Sequence, residues 1–122
     1  MKKVLFFFAF SLLTVASSFA QAKYEFRQVT AVESVVPGGL GRSRLITTGK
    51  DGKIEEIKLE NFFSLVGINF GNIKENDKII TTMIEGMYSD NWVLENVSTG
   101  VYGVESSTGI FITRYLFKRE KK

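Results

Sequence analysis

The chain contains neither cysteine nor histidine. Without thiolate or imidazole, zinc and copper sites built on those ligands are excluded. Ser–His and Cys–His nucleophile pairs are excluded as well, and no side chain has an ordinary pKa near neutrality. The missing thiol also rules out a disulfide framework and a lipid attached to a cysteine after a leader. Proline occurs once, at Pro37, so breaks in regular structure fall mainly to glycine. No Ser-x-x-Lys supplies a Ser–Lys dyad, and no Gly-Lys-Ser/Thr supplies a phosphate loop. Glu55 and Glu56 are adjacent on a predicted strand, so they point to opposite faces and do not converge as an acid pair. The vocabulary of catalysis and of metal or cofactor binding is therefore thin, and no catalytic or metal-ligating residue and no cofactor is expected.

Only one long apolar run is present. Val4 to Val15 follows Lys2 and Lys3 and leads to small residues at Ser18-Phe19-Ala20 and Ala20-Gln21-Ala22. A basic start, a short apolar stretch and a small-residue site form the pattern of a secretory signal peptide. The run is broken by Ser11 and Thr14 and falls short of the roughly 20 apolar residues that cross a bilayer as a helix. Residues 1–20 are expected to be an export signal, with cleavage after Ala20 or after Ala22, and 21–122 a single small domain without a transmembrane helix. Its location is then periplasmic or extracellular.

Charge narrows the partners. The formal balance of +3 owes two charges to Lys2 and Lys3, and the terminal run Lys118 to Lys122 holds four more bases and one acid. The body between them is slightly acidic. A nucleic-acid binder needs a dense basic surface to displace counterions, so nucleic acid is not an expected partner. The basic terminus is expected to be a solvated end.

Hydrophobic periodicity gives the organisation. Tyr24 to Glu33 alternates in the manner of a strand, with Tyr24, Phe26 and Gln28 on one face. A second strand is expected from about Arg42 to Thr48 and a third from Lys53 to Leu59, joined by a tight turn at Asp51-Gly52. On the third strand Ile57 and Leu59 share a face opposite Glu56 and Lys58. Glu60 to Gly67 reads as one helical turn or an irregular apolar plug, with Phe62, Phe63 and Leu65 packing on the sheet. Asn72 to Asp77 reads as a loop whose Asn76 or Asp77 caps a helix. In that helix, about 77–89, the apolar stripe is Ile79, Ile80, Met83, Ile84, Met87 and Tyr88. Gly86 weakens it and offers room for a neighbouring strand. Trp92 to Ser98 and Ile110 to Lys118 are further strands, with a hairpin loop at Glu105 to Gly109. The expected fold is α+β: an antiparallel sheet of about five strands packed by one main amphipathic helix.

The pieces Tyr24-Glu25-Phe26, the helix at 77–89, Asn91-Trp92-Val93-Leu94 and Phe117-Lys118-Arg119 together resemble a small bacterial domain family of unknown function. Its members open with a Tyr-x-Tyr/Phe strand, carry one amphipathic helix, follow with a Gly-Trp-Glu-Leu-Val strand and finish on Phe-Lys-Arg. Asn91 stands where that pattern has glycine, and Val93 where it has glutamate. The segment from about Val36 to Ile73 reads as an insertion. The resemblance implies a compact α+β fold and brings no catalytic residues.

Two functions from different classes follow. The first is an exported, non-enzymatic, envelope-associated binding or accessory protein, with an envelope protein as partner, docking along an open sheet edge or on Phe62–Phe70. The second is a binder of small anions or peptide carboxylates at the glycine-rich loop 37–44. There Gly38, Gly39 and Gly41 free backbone N–H groups beside Arg42 and Arg44. Trp92, Tyr88, Tyr102 and Phe111 are expected to serve mainly as core.

Overall fold

The computed structural model describes residues 24–49, 51–104 and 108–121. The predicted leader, and most of the predicted Glu105–Gly109 loop, lie outside those residues. The strands are β1 (Tyr24–Val35), β2 (Ser43–Thr48), β3 (Ile54–Leu59), β4 (Phe63–Ser64), β5 (Gly67–Ile68), β6 (Val93–Val104) and β7 (Thr108–Glu120), and α1 is Phe70–Ser89. Five strands form one antiparallel sheet in the order β3-β2-β1-β7-β6, and β4-β5 form a separate two-stranded ribbon. The fold class is α+β, as the sequence indicates.

Strand β1 lies at the centre. It pairs with β7 along its whole length, from Tyr24↔Glu120 to Val35↔Gly109. Because side chains alternate, this register puts Arg27, Val29, Ala31 and Glu33 on the same face as Phe117, Tyr115, Thr113 and Phe111. Ala31 pairs with Leu45, and Ser43 with Leu59, so the same face continues across β2 and β3. Helix α1 covers that face. Val29, Ala31, Leu45, Leu59, Phe117 and Trp92 are buried there with Ile80 and Met87 of the helix, while Ile79, Met83 and Ile84 pack at the margin. Each large side chain so removed from water stabilises the fold by about 1.5–3 kcal/mol. The predicted apolar stripe is therefore correct except at Tyr88, which is exposed.

The helix is longer than its apolar stripe. It begins at Phe70, with Asn69 as the cap: the Asn69 side chain accepts from the backbone N–H groups of Gly71 and Asn72 at 2.9 and 3.2 Å. Neither Asn76 nor Asp77 caps, and Asn72 to Asp77 is helix rather than loop. At the other end Asn91 takes the left-handed conformation, φ 63°. The Asn91 N–H donates to Tyr88 O, and the Trp92 N–H to Met87 O at 2.9 Å. These two bonds make a Schellman ending. It carries Trp92 back beneath Met87 and starts β6.

The segment after β3 is neither a helical turn nor a plug. It is the ribbon β4-β5, closed by a turn at Leu65-Val66, with Phe63 paired to Ile68. Leu65 projects away from the core and is exposed. Among the described residues no atom lies near the position a Gly86 Cβ would take, so Gly86 faces open space and no strand packs there.

The sheet has two distinct ends. One holds the start of β1, the end of β7, the C-terminus of α1 and the β2–β3 turn; we call it the terminal pole. The other holds the β1–β2 connection, the β4-β5 ribbon and the N-terminal half of α1; we call it the loop pole.

Candidate functional site

The loop pole is organised by asparagines. Asn61 is buried and uses its whole amide: Oδ1 accepts from Ser34 Oγ and Val36 N at 3.1 Å each, and Nδ2 donates to Val36 O and Phe63 O at 2.8 Å each. Asn76, fully buried on α1, accepts from Glu60 N at 2.7 Å and donates to Glu60 O and to Glu33 Oε1. Asn72 Nδ2 donates to Asn61 O at 2.7 Å. Backbone polar groups with no place in a ladder must find partners when buried, and these three side chains supply them. They bind the 36–42 connection, the 60–63 segment and the helix into one unit.

Each residue of the predicted anion loop can be placed against this frame. Pro37, Gly38 and Gly39 form a single 3-10 turn, with Gly38 and Gly39 at φ 78° and 72°. Gly41 lies against the buried cluster, where a Cβ would meet Ser34 Oγ at 2.1 Å and Asn61 Oδ1 at 2.3 Å. Arg42 is exposed ahead of β2. Arg44 lies on the sheet face away from α1, donates to Ser43 O at 2.8 Å and approaches Glu56 at 3.7 Å. The glycines serve turn geometry and close packing, and Arg44 has a carboxylate neighbour of its own.

At its tip the loop pole presents apolar side chains to solvent. Leu65 is 89% and Val66 96% exposed at the ribbon tip, and Leu40, Ile68 and Phe70 are exposed beside them. The 36–42 connection and the ribbon are held together by the Asn61 bonds and by Phe62 N donating to Ser34 O at 2.9 Å. From Asn61 to Ile73 the sequence has no charged residue. The ribbon tip is therefore an uncharged cap of large hydrophobic side chains on a hydrogen-bonded base, flanked by exposed charge at Arg42 and from Lys74 onward. The absence of charge was visible in the sequence, but periodicity could not show that these residues face outward.

Beneath the cap, desolvation by burial raises the pKa of Glu33, opposed by the bond from Asn76, while the nearby charge of Asp77 raises it further. Tyr115 is raised as well, by burial first and then by the charges of Glu33 and Asp77.

The terminal pole carries different chemistry. Arg27 and Arg119 place their guanidinium groups 4.9 and 4.3 Å from the ring centroid of buried Trp92. Arg119 also pairs with Glu25 and donates to Asp90 O at 3.0 Å. An open cleft of about 880 Å³ lies beside them, lined in part by Tyr24, Asn91, Val93 and Lys118. A shallower one of about 460 Å³ runs between α1 and the β2–β3 turn, over Met83 and Met87. Neither cleft is lined by the 37–44 loop. Tyr88 and Tyr102 are exposed on different elements, Phe111 stacks on Phe62 at 5.8 Å, and Trp92 is core, so the four aromatics share no binding surface. Among the described residues no group of three acidic side chains is arranged to hold a metal, and no helix is long and apolar enough to cross a membrane.

No family model, curated protein or solved structure matches the chain.

Proposed function

We propose that the chain is an exported, non-enzymatic binding or accessory protein of the cell envelope, periplasmic or extracellular, that docks through its loop pole. The observation that carries this reading is the cluster of Leu40, Leu65, Val66, Ile68 and Phe70, all exposed on the β1–β2 connection, the β4-β5 ribbon and the start of α1. A monomeric protein gains nothing in its own stability from such a cluster, and contiguous exposed apolar surface marks an interaction site. Each of these side chains withdrawn from water by a partner contributes up to about 1.5–3 kcal/mol before the costs of association. The hydrogen-bonded base beneath keeps the cap preorganised, which lowers the ordering cost of binding. The export pattern of residues 1–20 supplies the compartment.

The experiment replaces the tip. Leu65→Ser with Val66→Ser should release the protein from envelope fractions while its thermal unfolding stays within a few degrees of the parent, because neither side chain packs in the core. Undiminished retention by the double variant removes the loop pole as the docking site. A product that stays in the cytosol with residues 1–20 attached removes the compartment.

A further inference from the structure

We propose that two copies of this chain pair through strand β6, antiparallel, about a two-fold axis at Thr99. The argument starts from the two edges of the sheet. Strand β3, at one edge, is six residues long and carries Glu55, Glu56 and Lys58. Charge and shortness are the usual protection of an exposed edge. Strand β6, at the other edge, is twelve residues long. Its beginning is protected: a register shift between Leu94 and Asn96 throws out Glu95, whose carboxylate takes Lys118 Nζ at 2.6 Å. Past that bulge the protection stops. Asn96 to Val104 holds no charge and no proline. Every residue from Asn96 to Gly103 is exposed, including Val97, Val101 and Tyr102. Among the described residues nothing pairs with its outer side. The nine uncharged residues offer an edge of about 30 Å.

The register with β7 points to the occupant. On the α1 side Tyr115 pairs with Val97, Thr113 with Thr99 and Phe111 with Val101, and the two threonine hydroxyls lie 3.3 Å apart. A two-fold axis at Thr99 sets Val97 against the second copy's Val101, and Thr99 against the second copy's Thr99. The three rows then run on across the junction: Tyr115, Val97, Val101, Phe111; four threonines; and Phe111, Val101, Val97, Tyr115. Apolar meets apolar and hydroxyl meets hydroxyl, in the cross-strand pairs that stabilise sheets. Glu95 falls opposite Gly103, so no like charges oppose each other. The pattern is self-complementary, as an isologous interface requires. It is carried by a different element from the loop pole and stands whether or not that pole docks anything.

The test uses charge placed across the axis. In the exported protein, sedimentation over a concentration series should show a dimer. Val97→Lys with Val101→Lys sets lysine against lysine twice and should weaken association at least tenfold. Val97→Lys with Val101→Glu sets lysine against glutamate twice and should keep the dimer, which separates an interface effect from a folding defect. Because the chain has no cysteine, Thr99→Cys should give a covalent dimer on oxidation, and Lys58→Cys on β3 should not. A monomer at every concentration overturns the proposal. So does a dimer that crosslinks through Lys58→Cys and not Thr99→Cys, or one equally weakened by both charge pairs.

Discussion

Asn76 shows how one residue type does two jobs that a sequence cannot separate. Asn69, Asn72 and Asn76 all suit a helix start. The helix uses Asn69 for that, and Asn76 falls one face further on, against the sheet, where it satisfies both backbone groups of Glu60. Asn76→Ala should lower the unfolding free energy by about 2 kcal/mol or more, since it leaves buried polar groups without partners; urea denaturation checks this. Glu33 is the second informative side chain. Its pKa is raised in the fold, so the folded state holds the proton more readily than the unfolded chain. The stability linked to Glu33 is then present below 4.5, its ordinary value, and is lost as pH rises through the folded-state pKa. Glu33→Gln keeps an oxygen for the Asn76 amide and removes the half-buried charge. The variant should be more stable than the parent at neutral pH, with the difference vanishing at acid pH, as followed by thermal melts across pH. Trp92 is buried as the sequence suggested, but among the described residues its Nε1 has no hydrogen-bond partner. Its two guanidinium neighbours, each worth about 0.5–2 kcal/mol, offset that cost, and both come from strands distant in sequence.

At the scale of elements, the strands were the most legible. The β-branched and aromatic runs around Tyr24–Val35, Ser43–Thr48, Ile54–Leu59 and Thr108–Glu120 sit within a few residues of their expected places. The left-handed residue at the end of α1 was legible too, because Asn91 is the next-best choice after glycine there. The first two turns of α1 were not. Phe70 to Glu75 contains a glycine, an asparagine and mixed charge, and its helical state rests on the Asn69 cap and on Asn72 and Asn76 reaching the 60–61 backbone. Tertiary bonds override weak propensity there. The same view of α1 gives Gly86 a clear test. It lies in the helix with open space beyond it, so Gly86→Ala should stabilise the protein by about 0.5–1 kcal/mol, measured as a shift in the denaturation midpoint. The candidate site was legible only in composition. The glycines at 38, 39 and 41 suggested a ligand loop, yet they meet the demands of a 3-10 turn and of close packing on Asn61. The apolar run 62–70 suggested core, yet a two-residue turn in a short ribbon leaves its tip outside.

For the whole molecule, the order β3-β2-β1-β7-β6 makes the first and last described strands neighbours at the centre of the sheet. Folding must therefore join segments at opposite ends of the sequence before its central pair exists, and such non-local pairing is slow. Tyr24 and Glu120 are direct partners, so a hairpin loop of about two to four residues is long enough to join them. A permutant joined there and reopened in the Asp51-Gly52 turn should keep the same sheet. It should refold faster than the parent in stopped-flow experiments, because β1–β7 becomes a hairpin; an unchanged or slower rate would place the barrier elsewhere.

The same adjacency fixes an orientation. Tyr24 and Glu120 both lie at the end of the sheet opposite Leu65 and Val66, about 40 Å away along a twelve-residue strand. A tether attached at Tyr24 or Glu120 thus holds the molecule by its base and aims the greasy tip outward. Immobilising it through the tip-side turns instead would cover Leu65 and Val66 and block the proposed docking surface.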